Sequence, residues 1–563
     1  MRILLLTHAF NSLTQRLFIA LEQDEHDVTI EFDIHDDIAQ EAIDLFQPDL
    51  IVAPYLKRAI PKSIWSKHTC LIVHPGIIGD RGPSSMDWAI SNHEKTWGVT
   101  VLQANAEMDA GDIWASIEFP MRSATKASLY RKEVTTAAVQ AVKLAMENYT
   151  SSTFRRTSLK QKLWTSKGKQ RPFMTQDVRQ IDWKHDDTEA VVRKINAADG
   201  FPGVKDQWFG REVFLYDAHV AQGIHGEAGE TIAKSGLALC RATKDGAVWI
   251  GHVKDKACSH PFKLPATMLF EAESQGLLET DGYREVWYEE QGNVGYLYFP
   301  FYNGAMSTQG CRQLLRAYKD AVDRPTKVIV LMGGSDFWSN GIHLNVIEAA
   351  KSAADESWAN INAMNDLAES IITTTSHRVI SAMQGNAGAG GVFLARAADE
   401  VWAHEDIILN PHYKDMGNLY GSEYWTYLLP KHCGFDHAER ITQARLPMGV
   451  KEAHELGLVD VVIKGGQDNF IQQVQLKSEA RTTDLGIDKF LLEKRLQRLQ
   501  DEEIKPLATY REAELLRMKK NFYGFDPSYH VARYNFVYKV CKSRTPLTLA
   551  QHRSQVDQVR RVV

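Results

Sequence analysis

The chain has 563 residues, 44% hydrophobic and 24% charged, with a formal net charge of −6. That length suits about three or four domains with ample core, and the acidic balance argues against nucleic acid as a main partner. No apolar run approaches the ~18 residues of a membrane span, and Met1–Leu6 is too short for a signal segment; Cys70, Cys240, Cys258, Cys311, Cys433 and Cys541 lie far apart without metal-type spacing, so reduced thiols, a cytoplasmic location and no metal are expected.

Arg2-Ile-Leu-Leu-Leu-Thr7 reads as a strand at the N-terminus, and Asn11 and Ser12 lead into a helical pattern over Leu13–Leu21. Val28–Phe32, Leu50–Ala53 and Cys70–Val73 follow as short apolar strands separated by helix-like segments. Strands alternating with helices predict an α/β unit with an open, parallel, Rossmann-like sheet. No GxGxxG follows the first strand, so the dinucleotide fingerprint is absent. At the end of the fourth strand stands His74, followed by Pro75-Gly76 and Asp80-Arg81-Gly82-Pro83. Ligands of open α/β sheets bind at the carboxyl ends of strands. Further on come Gly98-Val-Thr-Val and Met108-Asp109-Ala-Gly-Asp112. A lone strand-end histidine is more often structural, but a histidine, a Gly-rich loop and a second acidic turn together read as a site. Near neutral pKa, such a histidine can take a proton from a nucleophile, and a carboxylate can hold its ring.

These motifs resemble the folate-dependent formyltransferases over residues 1–170. The resemblance implies His74 and Asp109 as catalytic residues, Asp80, Arg81 and Gly82 as folate-binding, and 10-formyltetrahydrofolate as one-carbon donor. The asparagine with which that family orients the formyl oxygen falls on Ile72. A thiol recipient answers this loss, because a thiolate is an intrinsically strong nucleophile; a transfer-RNA formyltransferase is disfavoured by it.

Residues 154–171 form a basic, polar connector and mark a boundary. From 171 to 275 a helix (Thr188–Ala197), a Gly200-Phe-Pro-Gly203 turn and short strands (Glu212–Tyr216, Leu237–Ala242, Ala247–His252) resemble the small C-terminal β-barrel domain of the same formyltransferases. The region lacks a basic stripe, so a connector and lid is expected instead of an RNA module.

Residues 276–470 open on a hairpin pattern, Val286–Phe299, with Gln291-Gly292-Asn293 at its turn. Asn303 and a helix to about Val322 follow, then an apolar strand, Lys327–Met332, and Asn340-Gly341-Ile342. Gln384–Phe393 is a glycine-rich turn feeding a segment of helical spacing. Glycines let backbone approach a ligand, and N–H groups at a helix start can hold a developing oxyanion. With Pro447–Asp460, these stretches resemble the crotonase (enoyl-CoA hydratase/isomerase) superfamily, a β-β-α superhelix, over about residues 285–465. The resemblance implies an oxyanion hole from the N–H groups of Ile342 and Gly390, and CoA binding at Asn303, Gly341 and Gly391. Where a hydratase carries its two glutamates this chain has Phe393 and His412, so hydration is not expected. A polar, aromatic cluster of His412, Tyr413, Tyr420, Ser422, Glu423 and Tyr424 occupies the region. Over 471–563 an amphipathic pattern (Lys489–Lys520, broken at Pro506) predicts a helical lid.

A formyltransferase half followed by a crotonase half resembles the HypX-type hydrogenase maturation proteins across nearly the whole chain. That family implies a bifunctional enzyme: formyl transfer from 10-formyltetrahydrofolate to coenzyme A, then decarbonylation of formyl-CoA to carbon monoxide and CoA, for the iron of [NiFe]-hydrogenase. Tyr413 and Glu423 would supply acid and base in either order, with His412 in reserve. The partners implied are these small molecules and a hydrogenase large-subunit precursor or other maturation proteins; the sequence leaves the oligomeric state undecided, a monomer being favoured over an oligomer. A formyl-CoA hydrolase releasing formate and a non-catalytic one-carbon scaffold are the alternatives, and the His74/Asp109 pair argues against the scaffold.

Overall fold

A computed structural model describes residues 1–162, 166–483 and 486–554 of the chain. They divide into two compact units. Met1–Cys258, Lys263–Tyr283 and the segment from Cys541 form the first; Ser259–Phe262 and Arg284–Val540 form the second.

In the first unit, β1 (Arg2–Thr7), β2 (Asp27–Phe32), β3 (Leu50–Ala53), β4 (Cys70–His74), β5 (Thr96–Gln103) and β6 (Ile113–Pro120) build one sheet in the order β2-β1-β3-β4-β5-β6. Its inner strands are unbroken apolar runs because both faces are covered: Ile3, Leu4 and Leu5 have no exposed surface. The Ser12–Gln23 helix starts where the Asn11 side chain accepts the Thr14 N–H at 3.0 Å. The first four strands are parallel, as expected. β5 and β6 run antiparallel to their neighbours, so the sheet is mixed. Residues 104–112 joining β5 to β6 are too few for a crossover, and a hairpin results.

The edge of this sheet is covered by the end of the chain. The Ile30 N–H donates to the Leu549 carbonyl at 3.1 Å, and the Phe32 N–H to the Thr545 hydroxyl at 2.7 Å. Glu31, fully buried, accepts from Arg553 at 2.6 Å, from His552 at 3.1 Å and from Thr545. Covering an edge strand this way blocks further strand pairing. The tail expected to belong to a lid thus belongs, from Cys541 to Ser554, to the first unit.

The connector holds β7 (Val204–Trp208), β8 (Arg211–Val220), β9 (Thr231–Ser235), β10 (Ala238–Ala242), β11 (Ala247–Asp255), β12 (Leu264–Pro265) and β13 (Leu278–Glu279), in the path β13-β9-β10-β11-β8-β7 with β12 on β11. The expected barrel is not closed: among the described residues β7 pairs only with β8, and β13 only with β9. The Thr188–Ala198 helix fills the role closure would have played. Its Val191 and Ile195 pack with Val204, Trp208, Leu215 and Ile250.

In the second unit, β14 (Trp287–Gln291) and β15 (Val294–Tyr298) form the expected hairpin, turning at Gly292-Asn293 alone because Gln291 already pairs with Val294. β16 (Val328–Gly333), β17 (Phe337–Ser339), β18 (Arg378–Met383), β19 (Asn386–Gly388), β20 (Glu400–His404), β21 (Ile408–Asn410), β22 (Met448–Gly449) and β23 (Val461–Ile463) then distribute over two sheets, β14-β15-β16-β18-β20-β23 and β17-β19-β21-β22. Three times a buried strand bends into a short strand of the second sheet. Gly385 marks one bend: a Cβ there would lie 2.6 Å from the Asp336 backbone. Helices Gln467–Thr483, Ile487–Ile504, Leu507–Tyr523 and Ser528–Val537 follow, the break falling at Pro506 as the sequence indicates. Among the described residues, no helix is long and apolar enough to cross a membrane.

Candidate functional site

Two clusters correspond to the sequence motifs, one in each unit. In the first unit His74 ends β4 with its side chain 5% exposed. Its Nε2 meets Asp80 Oδ2 at 3.0 Å, and its Nδ1 faces Asp109 Oδ1 at 3.6 Å. Asp80, expected among the folate-binding residues, is fully buried against the imidazole; Asp109 keeps a little solvent access. Gly76 makes the close approach possible, since a Cβ there would stand 2.4 Å from His74 Nε2 and 2.6 Å from Asp80 Oδ2. The loop itself is pinned by its carbonyls. Pro75 accepts from the Ser85 hydroxyl (2.7 Å) and the Trp97 indole (3.0 Å), and Gly76 from the Thr100 hydroxyl (2.8 Å). Gly82, at φ +118°, sends its N–H to Asp109 Oδ2 at 3.4 Å. Arg81 turns to Glu107 (2.7 Å) and Gln170 (3.2 Å). Ile72 sits mid-strand, paired with Ala53 and Leu102.

In the second unit the Asn340-Gly341-Ile342 turn and the start of the Gly390–Arg396 helix come together. A Cβ on Gly341 would lie 3.4 Å from the Gly390 nitrogen. Neither the Ile342 nor the Gly390 N–H has an acceptor among the described residues, as orphan donors of a helix start and a turn can lack one. Asn303, at φ +54°, gives its carbonyl to the Asn340 amide at 2.8 Å, so it adjoins this turn. Gly391 packs on the Ser339 carbonyl, 2.2 Å from where a Cβ would be.

Tyr413 and Glu423 meet beside Gly390. The Tyr413 hydroxyl donates to Glu423 Oε2 and lies 3.1 Å from the Ser422 carbonyl; its ring stacks on Phe393 at 5.3 Å. Glu423 is 1% exposed. Burial, reinforced by the negative charge of Glu514 and opposed by the Tyr413 hydrogen bond, pushes its carboxyl up to about 8. Burial and the adjacent carboxyl raise the Tyr413 phenol well above its usual value. His412 is buried with Nδ1 unpartnered, and burial lowers its pKa; it makes no hydrogen bond to the Tyr413–Glu423 pair.

Sequence reasoning missed the residues that hold this pair. Asn365, on the Ala353–Thr373 helix, accepts the Glu423 N–H and the Ser422 hydroxyl, both at 2.9 Å. Glu514, on the Leu507–Tyr523 helix, accepts the Tyr424 and Thr426 N–H groups at 3.0 and 2.9 Å. It is fully buried, and burial pushes it up to about 7 against those donors. The available signal was an acid at 514 in helical register with Leu507, Met518 and Phe522. For Asp80 the signal was Gly76, the residue that lets its carboxylate reach His74.

Known proteins match in the same order. The formyl transferase family model matches residues 12–146, the formyl transferase C-terminal domain 174–260, and enoyl-CoA hydratase/isomerase 295–483. A methionyl-tRNA formyltransferase of Halalkalibacterium halodurans is 22% identical over 38% of this chain and 68% of its own length. The crystal structure of HypX from Aquifex aeolicus in complex with tetrahydrofolic acid is 45% identical, with a TM-score of 0.94 over 98% of this chain and 99% of that one. The hydrogenase maturation factor HoxX of Bradyrhizobium diazoefficiens is 55% identical over 98% of this chain and 97% of its own. With that identity along the full length, and with both clusters formed, the chain belongs to the HoxX/HypX family of hydrogenase maturation factors.

Proposed function

We propose that this protein makes carbon monoxide for hydrogenase maturation in two steps, transferring the formyl group of 10-formyltetrahydrofolate to coenzyme A and then breaking formyl-CoA into CO and CoA. One observation carries the reading: a buried, hydrogen-bonded Tyr413–Glu423 pair stands against Gly390, whose N–H, like that of Ile342, has no acceptor among the described residues and can hold a thioester oxygen.

In the first step Asp80 fixes the His74 ring through Nε2, which leaves Nδ1, beside Asp109, to take the thiol proton. The sulfur–carbon bond forms and the carbon–nitrogen bond of the folate donor breaks, with the proton returned to the leaving nitrogen. Asp109 stabilises the imidazolium while the tetrahedral intermediate lasts. In the second step Glu423, made more basic by burial, removes the formyl proton. The carbon–sulfur bond breaks, the Tyr413 hydroxyl protonates the leaving sulfur, and Glu423 returns its proton to Tyr413 across their hydrogen bond. The proton lost from carbon thus ends on sulfur, and CO leaves. The aromatic packing around the pair suits a thioester that must not meet water. CO would serve the iron of a hydrogenase large-subunit precursor.

Incubating the purified protein with 10-formyltetrahydrofolate and CoA, and trapping gas with haemoglobin, tests this. CO that depends on the protein and on both compounds is the expected result. Formate with free tetrahydrofolate and no CO would overturn the second step in favour of hydrolysis. No turnover would overturn both.

A further inference from the structure

Glu514, Met518 and Asn521 stand at i, i+4 and i+7 of the Leu507–Tyr523 helix, and so on one face of it. All three accept backbone N–H groups from one loop. Asn521 Oδ1 takes that of Tyr420 at 3.1 Å, Met518 Sδ that of Gly421 at 3.2 Å, and Glu514 those of Tyr424 and Thr426. Glu514 also receives the Thr426 hydroxyl at 2.6 Å, and the oxygen of the Ser422 hydroxyl that donates to Asn365 lies 3.3 Å from it.

The loop held this way is unusual. Glu423 and Tyr424 are successive non-glycine residues with φ of +59° each, a region such residues seldom occupy and keep only when their surroundings impose it. That backbone turns the Glu423 carboxyl onto Gly390 and Tyr413. An apolar residue at 514 would leave the Tyr424 and Thr426 N–H groups without their acceptor. A carboxyl there meets three donors of the turn, two of them backbone N–H groups, and so fixes the path of the chain through Glu423.

We propose that Glu514 is the positioning residue of the second site: it moulds the turn that carries Glu423 and sets its own charge against that carboxyl. This rests on the reading of Tyr413 and Glu423 as the proton-transfer pair. Glu514 carries more donors than Glu423, which favours its ionised form, and the negative charge it then carries raises the Glu423 carboxyl. Among the described residues, Tyr413 and Cys311 face Glu423, and Tyr413 and Tyr420 face Glu514, with Arg517 over the Tyr420 ring.

Glu514→Gln tests it, read in the full-length protein with formyl-CoA supplied. The pH-independent rate of CO release should fall on the order of 100-fold through misplacement of Glu423. The acid limb of the profile should move down by about one pH unit, because the like charge is gone. A purely structural residue would lower the rate without moving the limb. Thr426→Val, which removes one donor from Glu514 and leaves the backbone donors, should move the limb the same way by less, and serves if Glu514→Gln does not fold. The carboxyl infrared band that disappears in Glu423→Gln gives a readout free of turnover, and it should titrate lower in both variants. An unmoved band and an unmoved limb overturn the inference. If the band moves while Glu423→Gln still releases CO at the normal rate, the reading of the proton-transfer pair falls and the electrostatic coupling stands.

Discussion

The Cα of Gly390 lies so near the carboxyl of Glu423 that a Cβ on it would stand 2.4 Å from Oε1. The backbone at Gly390 is not left-handed, so space alone demands glycine there. Gly390→Ala should therefore fold normally and displace the carboxyl. CO release from supplied formyl-CoA should drop on the order of 100-fold, as a shift of about 1 Å in a reacting group costs. Thermal melting beside the CO assay checks both halves of that statement.

Tyr413→Phe and Glu423→Gln should separate the two reactions. Each removes one proton carrier of the buried pair and leaves every residue of the first unit unaltered. Tetrahydrofolate should still form from 10-formyltetrahydrofolate and CoA at the wild-type rate, while CO release falls by on the order of 10²–10⁴. Equal CO release by both variants and the parent would sink the assignment.

The reverse separation should follow from the first site. Asp80→Asn leaves the His74 ring without its close carboxylate, and His74→Gln removes the base. Both should lose tetrahydrofolate formation, Asp80→Asn by on the order of 10²-fold. Both should release CO normally when given formyl-CoA. Loss of that second activity would count against independent sites.

Glu423 also makes stability depend on pH. Its carboxyl is raised from 4.5 to about 8, so between those values the folded protein holds a proton that the unfolded chain releases. Stability from this group is complete below about pH 4.5 and is lost as pH rises through about 8. The melting temperature of the parent should accordingly fall, relative to that of Glu423→Gln, from pH 5 to pH 8. A constant difference across that range would contradict the burial of a proton-binding carboxyl.

In the first unit, burial alone would raise the Glu31 carboxyl, yet its bonds from His552, Thr545 and Arg553 outweigh burial and hold it below the ordinary range. Arg553→Met should strand that charge and destabilise the unit by roughly 3–5 kcal/mol. Adding Glu31→Gln should restore much of the loss. Urea unfolding of the single and double variants measures the coupling.

The sequence by itself determined which chemistries the chain carries. His74 at a strand end, the Asp80-Arg81-Gly82 loop, the Asn340-Gly341 turn and the Gly390-Gly391 helix start are local patterns, and local sterics and hydrophobic periodicity act over a few residues. The same physics made the strands Arg2–Thr7 and Leu50–Ala53 and the break at Pro506 legible. Tertiary structure alone decided what those patterns meet. Glu514 reaches the Ser422–Thr426 turn, and Thr545, His552 and Arg553 reach Glu31, across spans of chain where no periodicity links the partners. The connector stayed open where a barrel was expected, because the Thr188–Ala198 helix could cover its sheet. A buried carboxyl draws its pKa and its role from donors gathered in space, and those donors can come from anywhere along the chain.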